Sequence, residues 1–311
     1  MQWKTIFGAA MLAASLGVAP ARAQDSAAPG AEPTAAEKAQ IEKYKRILAS
    51  LHPLHGDVAV PGAAATLHLG DAYYFLNAAD AKRVLVEGWD NPPEAVDNTL
   101  GMVFPKDKTF VDDTWGAVVT YQGDGYINDS DAKTADYSKL LAEMQSGEGD
   151  ENKARKDKGF EAIHLVGWAQ APSYDAAHHT VIWARELQFG ANADHTLNYD
   201  VRELGRKGVL SLNVVDKMSH LPAIRSAATD LGTVATFDPG SRYADYQTGV
   251  DKKAAYGIAG LVAAGAGVVL AQKLGLIGIA LLFLKKGIVV IIAALSGGLA
   301  WVRSKFSRKK A

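Results

Sequence analysis

Apolar residues fall along this chain in three regimes. Residues 6–18 form a short apolar run. Residues 35–250 mix apolar and polar positions with the periods of helices and strands. Residues 254–302 are almost continuously apolar. The middle regime is the one whose periodicity predicts a fold.

Its first element is a helix over 35–51, with Ile41, Tyr44, Ile47 and Leu48 on one stripe and Pro53 as the stop. Val58 and Val60, a Pro61-Gly62 turn, and Ala65, Leu67 and Leu69 predict a hairpin. Asn77 is placed to cap a helix that carries Ala81, Val84 and Leu85, runs to Glu87 and ends at Gly88. After Asn91-Pro92-Pro93 come strands over 100–104 and 115–121, and a Gly123-Asp124-Gly125 turn into Tyr126 and Ile127. Asn128, Asp129, Ser130 and Asp131 read as a capping cluster ahead of a helix with Tyr137, Leu140, Leu141 and Met144 on one face. Residues 147–158 carry charges of both signs and read as a solvated loop or helix end.

The clearest sheet signal lies between 163 and 215. A strand over 163–169, a turn over 171–177 and a returning strand over 180–189 come first. Leu197, Tyr199 and Val201 then alternate with Asn198, Asp200 and Arg202. Gly205-Arg206-Lys207-Gly208 turns the chain, and Leu210, Leu212 and Val214 alternate again. Four strands joined by short turns predict an antiparallel β-meander with one face packed and one wet. Ser219 is placed to cap a helix with Leu221, Ile224, Ala228 and Leu231, and a last strand lies over 234–237. Strands and helices do not alternate regularly, so the expected class is α+β, the meander flanked by helices.

The apolar ends change the picture from fold to location. Lys4, the run at 6–18 and Ala21-Arg22-Ala23 have the layout of a signal peptide, 1–23, cut before Gln24. Residues 24–34 read as a flexible linker and 35–250 as an extracytoplasmic domain. Residues 254–272 hold no charge and are about as long as the roughly 20 residues a transmembrane helix needs. A buried core helix is the competing reading. Residues 274–302 continue apolar except at Lys285 and Lys286, so 254–302 is expected to be a membrane anchor of one or two helical segments. Gly257, Gly260 and Gly265 would leave a flat face for a neighbouring helix. The basic tail, 303–311, favours the cytoplasmic side. One crossing satisfies the tail, and a hairpin-like pair, which is preferred, satisfies the apolar length. The expected site is the bacterial inner membrane, with the main domain periplasmic.

Composition narrows the chemistry. There is no cysteine, which excludes disulfides, thiolate metal sites and a cysteine nucleophile. Lys and Arg number 33 against 34 Asp and Glu, so nucleic acid is not an expected partner. The lipid bilayer is one expected partner, and an inner-membrane protein is a candidate second.

Several strings stand out: GDGYINDSDA at 123–132, NKARKDKGF at 152–160, GW at 167–168 with PSYD at 172–175, LNYDVRELGRKGVL at 197–210, and DPGSRYADYQTGVDKKAAYGIAGL at 238–261. Together they resemble domain of unknown function family 2167, bacterial proteins described as predicted membrane-anchored. The resemblance spans roughly 50 to 272. It implies a membrane-anchored extracytoplasmic domain, no reaction, and no catalytic or ligand residue.

Candidate chemistry comes from three groups. Asp124, Asn128, Asp129 and Asp131 are oxygen donors that a hard cation such as Ca²⁺ could use. The spacing misses the EF-hand loop, and a turn with a helix N-cap competes. The histidines His52, His55, His68, His164, His178, His179 and His195 match no zinc spacing and read as turn and surface residues. Arg202, Glu203, Arg206 and Lys207 bracket one turn, while Arg242, Tyr243, Asp245 and Tyr246 follow another. Arg beside Tyr can bind anions or sugars. No catalytic elbow, phosphate loop or dinucleotide fingerprint occurs, and no metal or cofactor is implied. The expectation is therefore a binding or assembly module of the cell envelope. The alternative is an envelope hydrolase using Asp and His from the 124–131 and 164–195 regions.

Overall fold

A computed structural model describes residues 35–91, 93–157 and 160–265. The expected signal peptide, the linker up to Thr34, the apolar sequence beyond Gly265 and the basic tail lie outside the described residues. Helix α1 is Ala35–Ala49, followed by β1 (Asp57–Val60), β2 (Ala65–His68) and β3 (Tyr73–Asn77). Helix α2 (Ala78–Arg83) runs into a wider turn at Val84–Gly88. Then come β4 (Thr99–Pro105), β5 (Ala117–Gln122), β6 (Tyr126–Asn128) and the long helix α3 (Tyr137–Asp157). The meander follows as β7 (Ile163–Asp175), β8 (Thr180–Phe189), β9 (Thr196–Leu204) and β10 (Val209–Lys217). Helix α4 (Leu221–Leu231), β11 (Ala235–Phe237), β12 (Lys253–Gly257) and helix α5 (Ile258–Ala264) close the fold.

The architecture is α+β with antiparallel sheets and flanking helices. Seven strands form one antiparallel sheet in the order β3-β4-β5-β10-β9-β8-β7. The meander β7 to β10 is joined to β3-β4-β5 by pairing of β10 with β5, from Val209 opposite Gln122 to Val214 opposite Ala117. A second sheet, β1-β2-β11, packs on one face of the first. Leu67, Phe237, Tyr199, Leu212 and the α4 residues Ile224 and Leu231 share that core. The other face carries two separate apolar patches. Ile47, Leu85, Met102, Phe104 and Val118 lie under α1 and α2. Met144, Trp183, Leu261 and Val262 lie under α3 and α5.

Four expectations are corrected and one open choice is resolved. The second face of β9 is not wet: all nine residues of that strand are buried, the polar ones included. Of the two readings for 147–158, the helix end holds for the described part, 147–157, because the polar side chains of α3 serve the edge strand β7. Gln145 donates to the Leu165 carbonyl at 3.0 Å, Glu148 accepts from its N–H at 2.6 Å, and Asn152 exchanges two bonds with Ile163 at 2.7 and 2.8 Å. An edge strand needs such cover. Strand β7 runs on through Pro172 to Asp175, with register shifts that absorb the proline. Ser219 caps nothing: it lies in a 3₁₀ turn, and α4 begins at Leu221 with Pro222 in its first turn.

The last correction concerns the expected anchor, which begins too early at 254. Lys253–Gly257 is a strand paired in parallel with β6, and Ile258, Leu261, Val262 and Ala263 of α5 are buried in the core. The competing reading as a core helix holds for this part. Gly257 and Gly260 face no neighbouring helix: a Cβ on them would meet Asp131 and Tyr256, both at 2.5 Å. The folded body therefore extends past 250 to Ala264. Among the described residues no helix is long and apolar enough to cross a membrane.

Two glycines should respond oppositely to alanine. A Cβ on Gly101 would lie 2.0 Å from the Phe75 ring and 2.5 Å from the Leu76 carbonyl, so Gly101→Ala should destabilise by about 1–3 kcal/mol. Gly149 lies inside α3 with nothing within 4 Å, so Gly149→Ala should stabilise by roughly 0.5–1 kcal/mol. Urea unfolding of the two variants checks both signs.

Candidate functional site

The candidate residues gather at one end of the large sheet. There the β5–β6 turn, the β9–β10 turn and the closing segment 238–257 meet. The Gly125 N–H donates to the Lys207 carbonyl at 3.0 Å, and the Tyr126 N–H to the Lys252 carbonyl at 2.9 Å. The Arg206 N–H donates to Ser241 at 2.8 Å, and Gly205 bridges to Arg242. Gly125 is required here: its φ is +106°, and a Cβ would sit 2.6 Å from the Lys252 carbonyl.

The four side chains of the 124–131 loop that carry oxygen ligands turn to separate partners. Asp124 accepts from the Tyr256 hydroxyl. Asn128 accepts from the Ser130 N–H at 2.9 Å. Asp129 accepts from the Tyr174 hydroxyl at 2.7 Å. Asp131 accepts from the Ile258 and Ala259 N–H groups at 2.9 and 3.0 Å. The capping cluster is thus divided: Asp131 caps α5, while α3 is capped by Asp136, which accepts from Ser138 and Lys139. Carboxylates favour helix N-termini, but sequence proximity did not say which helix. Among the described residues no group of three or more His, Asp or Glu is placed to hold a metal ion.

Next to this loop stands a column of four rings. His179 stacks on Tyr243 with centroids 4.2 Å apart, Tyr243 on Tyr126 at 4.5 Å, and Tyr126 on Tyr246 at 3.9 Å. The Tyr243 hydroxyl donates to the Ile127 carbonyl at 2.9 Å. Tyr174 also reaches His179 Nδ1 at 2.9 Å. Its proton goes to Asp129, so the pattern assigns the Nδ1 proton to His179. Burial, then Asp129, holds the Tyr174 phenol well above its usual range. Burial and Asp124 do the same to Tyr256. Both phenols stay protonated donors. His179 itself sits at φ +54°, a left-handed conformation uncommon for histidine.

The arginines have separate tasks. Arg202 donates to Asp200 from Nη2 at 3.0 Å and Nε at 3.2 Å, and to Gln122 from Nη1 at 2.8 Å. Its guanidinium lies 5.4 Å over the Trp183 ring. Arg185 donates to Asp200 at 3.3 Å and to Asn198 at 2.6 Å. Asp200 is fully buried between the two. Arg206 grips Asp251 at 2.7 and 3.0 Å. Arg242 is exposed, while Asp245 accepts from the Gly240 and Arg242 N–H groups at 2.8 and 3.0 Å. Glu203 points to the opposite, apolar face of β9, opposite Leu210 and Thr180. Burial raises its carboxyl to about 8.

Of the expected set, Asp124, Asp129, Asp131, Tyr243, Asp245, Arg206 and Arg242 are brought to this end, with Asn128 in a local turn. The remaining histidines are scattered: His52 against Asp80, His68 against Asp57, His164 against Glu148, His178 against Asp175 and His195 against Glu186. His55 leans on Tyr74. Tyr126, Tyr174, Arg185, Asp200, Asp251 and Tyr256 were missed. The signal for Arg185 and Asp200 was present in the alternation of β8 and β9, which sets them on one face.

These contacts define an α+β protein of three sheets, the smallest of them β6-β12, whose polar groups at one end fasten the last segment to the body. The chain belongs to the family described as Protein of unknown function (DUF2167), whose model matches residues 52–296. No curated protein matches it. It is similar to the solution structure of cyanobacterial PsbP (CyanoP) from Synechocystis sp. PCC 6803, with 8% identity and a TM-score of 0.33, over 61% of this chain and 93% of that one.

Two variants test the electrostatics. Asp200→Asn leaves two buried guanidinium groups without their carboxylate and should cost about 3–5 kcal/mol in thermal or urea unfolding. Glu203 is a second case. The folded state keeps its carboxyl protonated where the unfolded chain has released the proton. Stability should therefore fall as pH rises from 4.5 to about 8. Glu203→Gln should flatten that slope and raise stability at pH 8 by on the order of 2 kcal/mol. An unchanged pH profile in the variant would refute the assignment.

Proposed function

We propose that the protein is a non-enzymatic, membrane-anchored extracytoplasmic module that works by binding or assembly in the bacterial cell envelope. In this reading residues 1–23 export the chain, 24–34 are a linker, the α+β body faces the periplasm, and the apolar sequence beyond Gly265 is the anchor. Its longest uncharged run, 287–302, is marginally long enough to cross once the flanking Lys and Arg side chains snorkel.

One observation carries the proposal. The polar groups that looked like site residues hold segment 238–264 against the sheet. Asp131 caps α5, Asp124 holds Tyr256, Arg206 holds Asp251, and Tyr243 holds Ile127. The apolar sequence begins directly where α5 ends, with no polar linker between. A body fixed that closely to its anchor keeps one orientation to the bilayer, which suits presenting a surface to a partner. A hydrolase is favoured only by the chain Asp129–Tyr174–His179, which joins a carboxylate to an imidazole. No nucleophile is linked to that chain by a hydrogen bond among the described residues.

The absence of cysteine makes location testable. Val111 is exposed, so Val111→Cys in the full chain should react with a membrane-impermeant maleimide in intact spheroplasts. The same protein should stay in the membrane pellet through alkaline carbonate. Labelling only after lysis, or release by carbonate, would sink the proposal. For the alternative, turnover of cell-wall fragments that His179→Ala abolishes would establish the hydrolase.

A further inference from the structure

The face of the large sheet that carries Asp200 needs a cover. Arg185, Asn198, Asp200 and Arg202 are all buried. The helices described on this face lie over the apolar patches at either side, α1 and α2 on one, α3 and α5 on the other. Trp183, opposite Asp200 on β8, is fully buried as well. Its indole N–H has no hydrogen-bond partner among the described residues. A buried indole N–H usually finds an acceptor. The strip between the two patches thus lacks both an acceptor and a cover among the described residues.

Helix α5 runs towards that strip. Asp131 holds its first N–H groups at the end of the sheet that carries the β9–β10 turn, where its side chains join Leu204 and Val209. At its other end a Cβ on Gly265 would lie 3.2 Å from Trp183 Cζ2 and 3.7 Å from Arg202 Nη2. The next residues, 266–272, hold no charge and a single polar side chain, Gln272. Helical spacing carries the buried positions Ile258, Val262 and Gly265 on to Val269 and Gln272, while Ala271 follows the exposed Ala264. The lengths agree: a helix rises about 10 Å from Gly265 to Gln272, and the strand covers about 13 Å from Arg202 to Asn198.

We infer that residues 266–272 continue α5 over the Asp200 network, with Val269 on Trp183 and the Gln272 amide among Trp183, Arg185 and Asn198. Helical side chains lean toward the N-terminus, which brings the Gln272 carbonyl back toward the indole N–H. The occupant of this face is the chain's own next segment. A segment that left the sheet at Gly265 would uncover a carboxylate and two guanidinium groups that the fold keeps from water. The inference narrows the membrane-anchor reading without depending on it: the anchor starts no earlier than Lys273, and the crossing falls to 287–302.

The test uses the full chain, which has no cysteine of its own, reconstituted into phosphatidylcholine vesicles. Val269→Cys and Ala271→Cys are each treated with a water-soluble maleimide. Val269→Cys should react at least roughly tenfold more slowly than Ala271→Cys, and urea that unfolds the body should make the two rates equal. Fast reaction of both means that the segment is off the sheet. Protection of both that persists in urea means that it lies in lipid. Either result overturns the inference. Gln272→Leu provides a second measurement, because it removes the amide and keeps the bulk. It should lower the urea midpoint of the body, where the same change in lipid would leave or raise it. An unchanged or raised midpoint overturns the inference even where Val269→Cys itself loosens the helix. Carbonate extraction reports on the anchor separately: release of the protein with Val269→Cys still protected refutes the anchor and upholds the docked segment.

Discussion

The fold depends on one carboxylate. Asp200 is buried in a strand that has no wet face, and it holds Arg185 and Arg202 on either side. Removing a charge from water is costly unless its partner is close and hydrogen-bonded. Here Asn198 and Gln122 take further guanidinium donors, so the network is satisfied largely from neighbouring strands. It also fixes register. Because side chains alternate, a one-residue slip of β9 would put Asp200 and Arg202 among Leu67, Leu212 and Ile224. The network thus separates two apolar patches on one face while forbidding the misaligned sheet.

The closing segment depends on that frame. Tyr126 and Tyr246 are far apart in sequence, yet their rings touch because Gly125 lets the chain approach the Lys252 carbonyl. β6 and β12 then pair in parallel, and Asp131 receives the first N–H groups of α5. Each contact is modest alone, at about 1 kcal/mol for a hydrogen bond. Together they order about one helix and one strand that have no independent core. The apolar residues of α5 complete the burial by covering Trp183 and Met144.

Local pattern predicted most elements because local physics makes them. Asn77 caps α2 through Ala79 and Asp80, and the alternation of β9 and β10 is strict. What failed depended on long-range pairing. The polar face of β9 looks wet in sequence, since nothing local shows that Arg185 lies opposite Asn198. Asp131 looks like the cap of the helix that follows it, but its partner is 127 residues away. Residues 254–264 have the composition of a membrane span, yet a small-residue helix packed against a sheet has the same composition. Gly-rich apolar sequence reports close packing without saying whether lipid or protein is the neighbour. The site was legible in part: the turns at 123–125 and 205–208 and the aromatic string at 243–246 were visible, and their meeting was not.

The chain Asp129–Tyr174–His179 deserves comparison with what acid–base chemistry requires. A working base needs an oriented imidazole, a proton donor within reach and a place for the reacting atom. The first is present, because Tyr174 fixes the Nδ1 tautomer and leaves Nε2 as the acceptor. The phenol between carboxylate and imidazole holds its proton tightly, so it passes orientation rather than charge. The ring's flat face is already covered by Tyr243, whose own ring continues the stack to Tyr126 and Tyr246. Stacking of this kind gains from rigid, close contact, and rigidity is what joins the β7–β8 turn to the closing segment. The same three residues therefore do more to hold the closing segment to the body than to ready an imidazole for proton transfer. That favours the assembly reading of this face over the catalytic one.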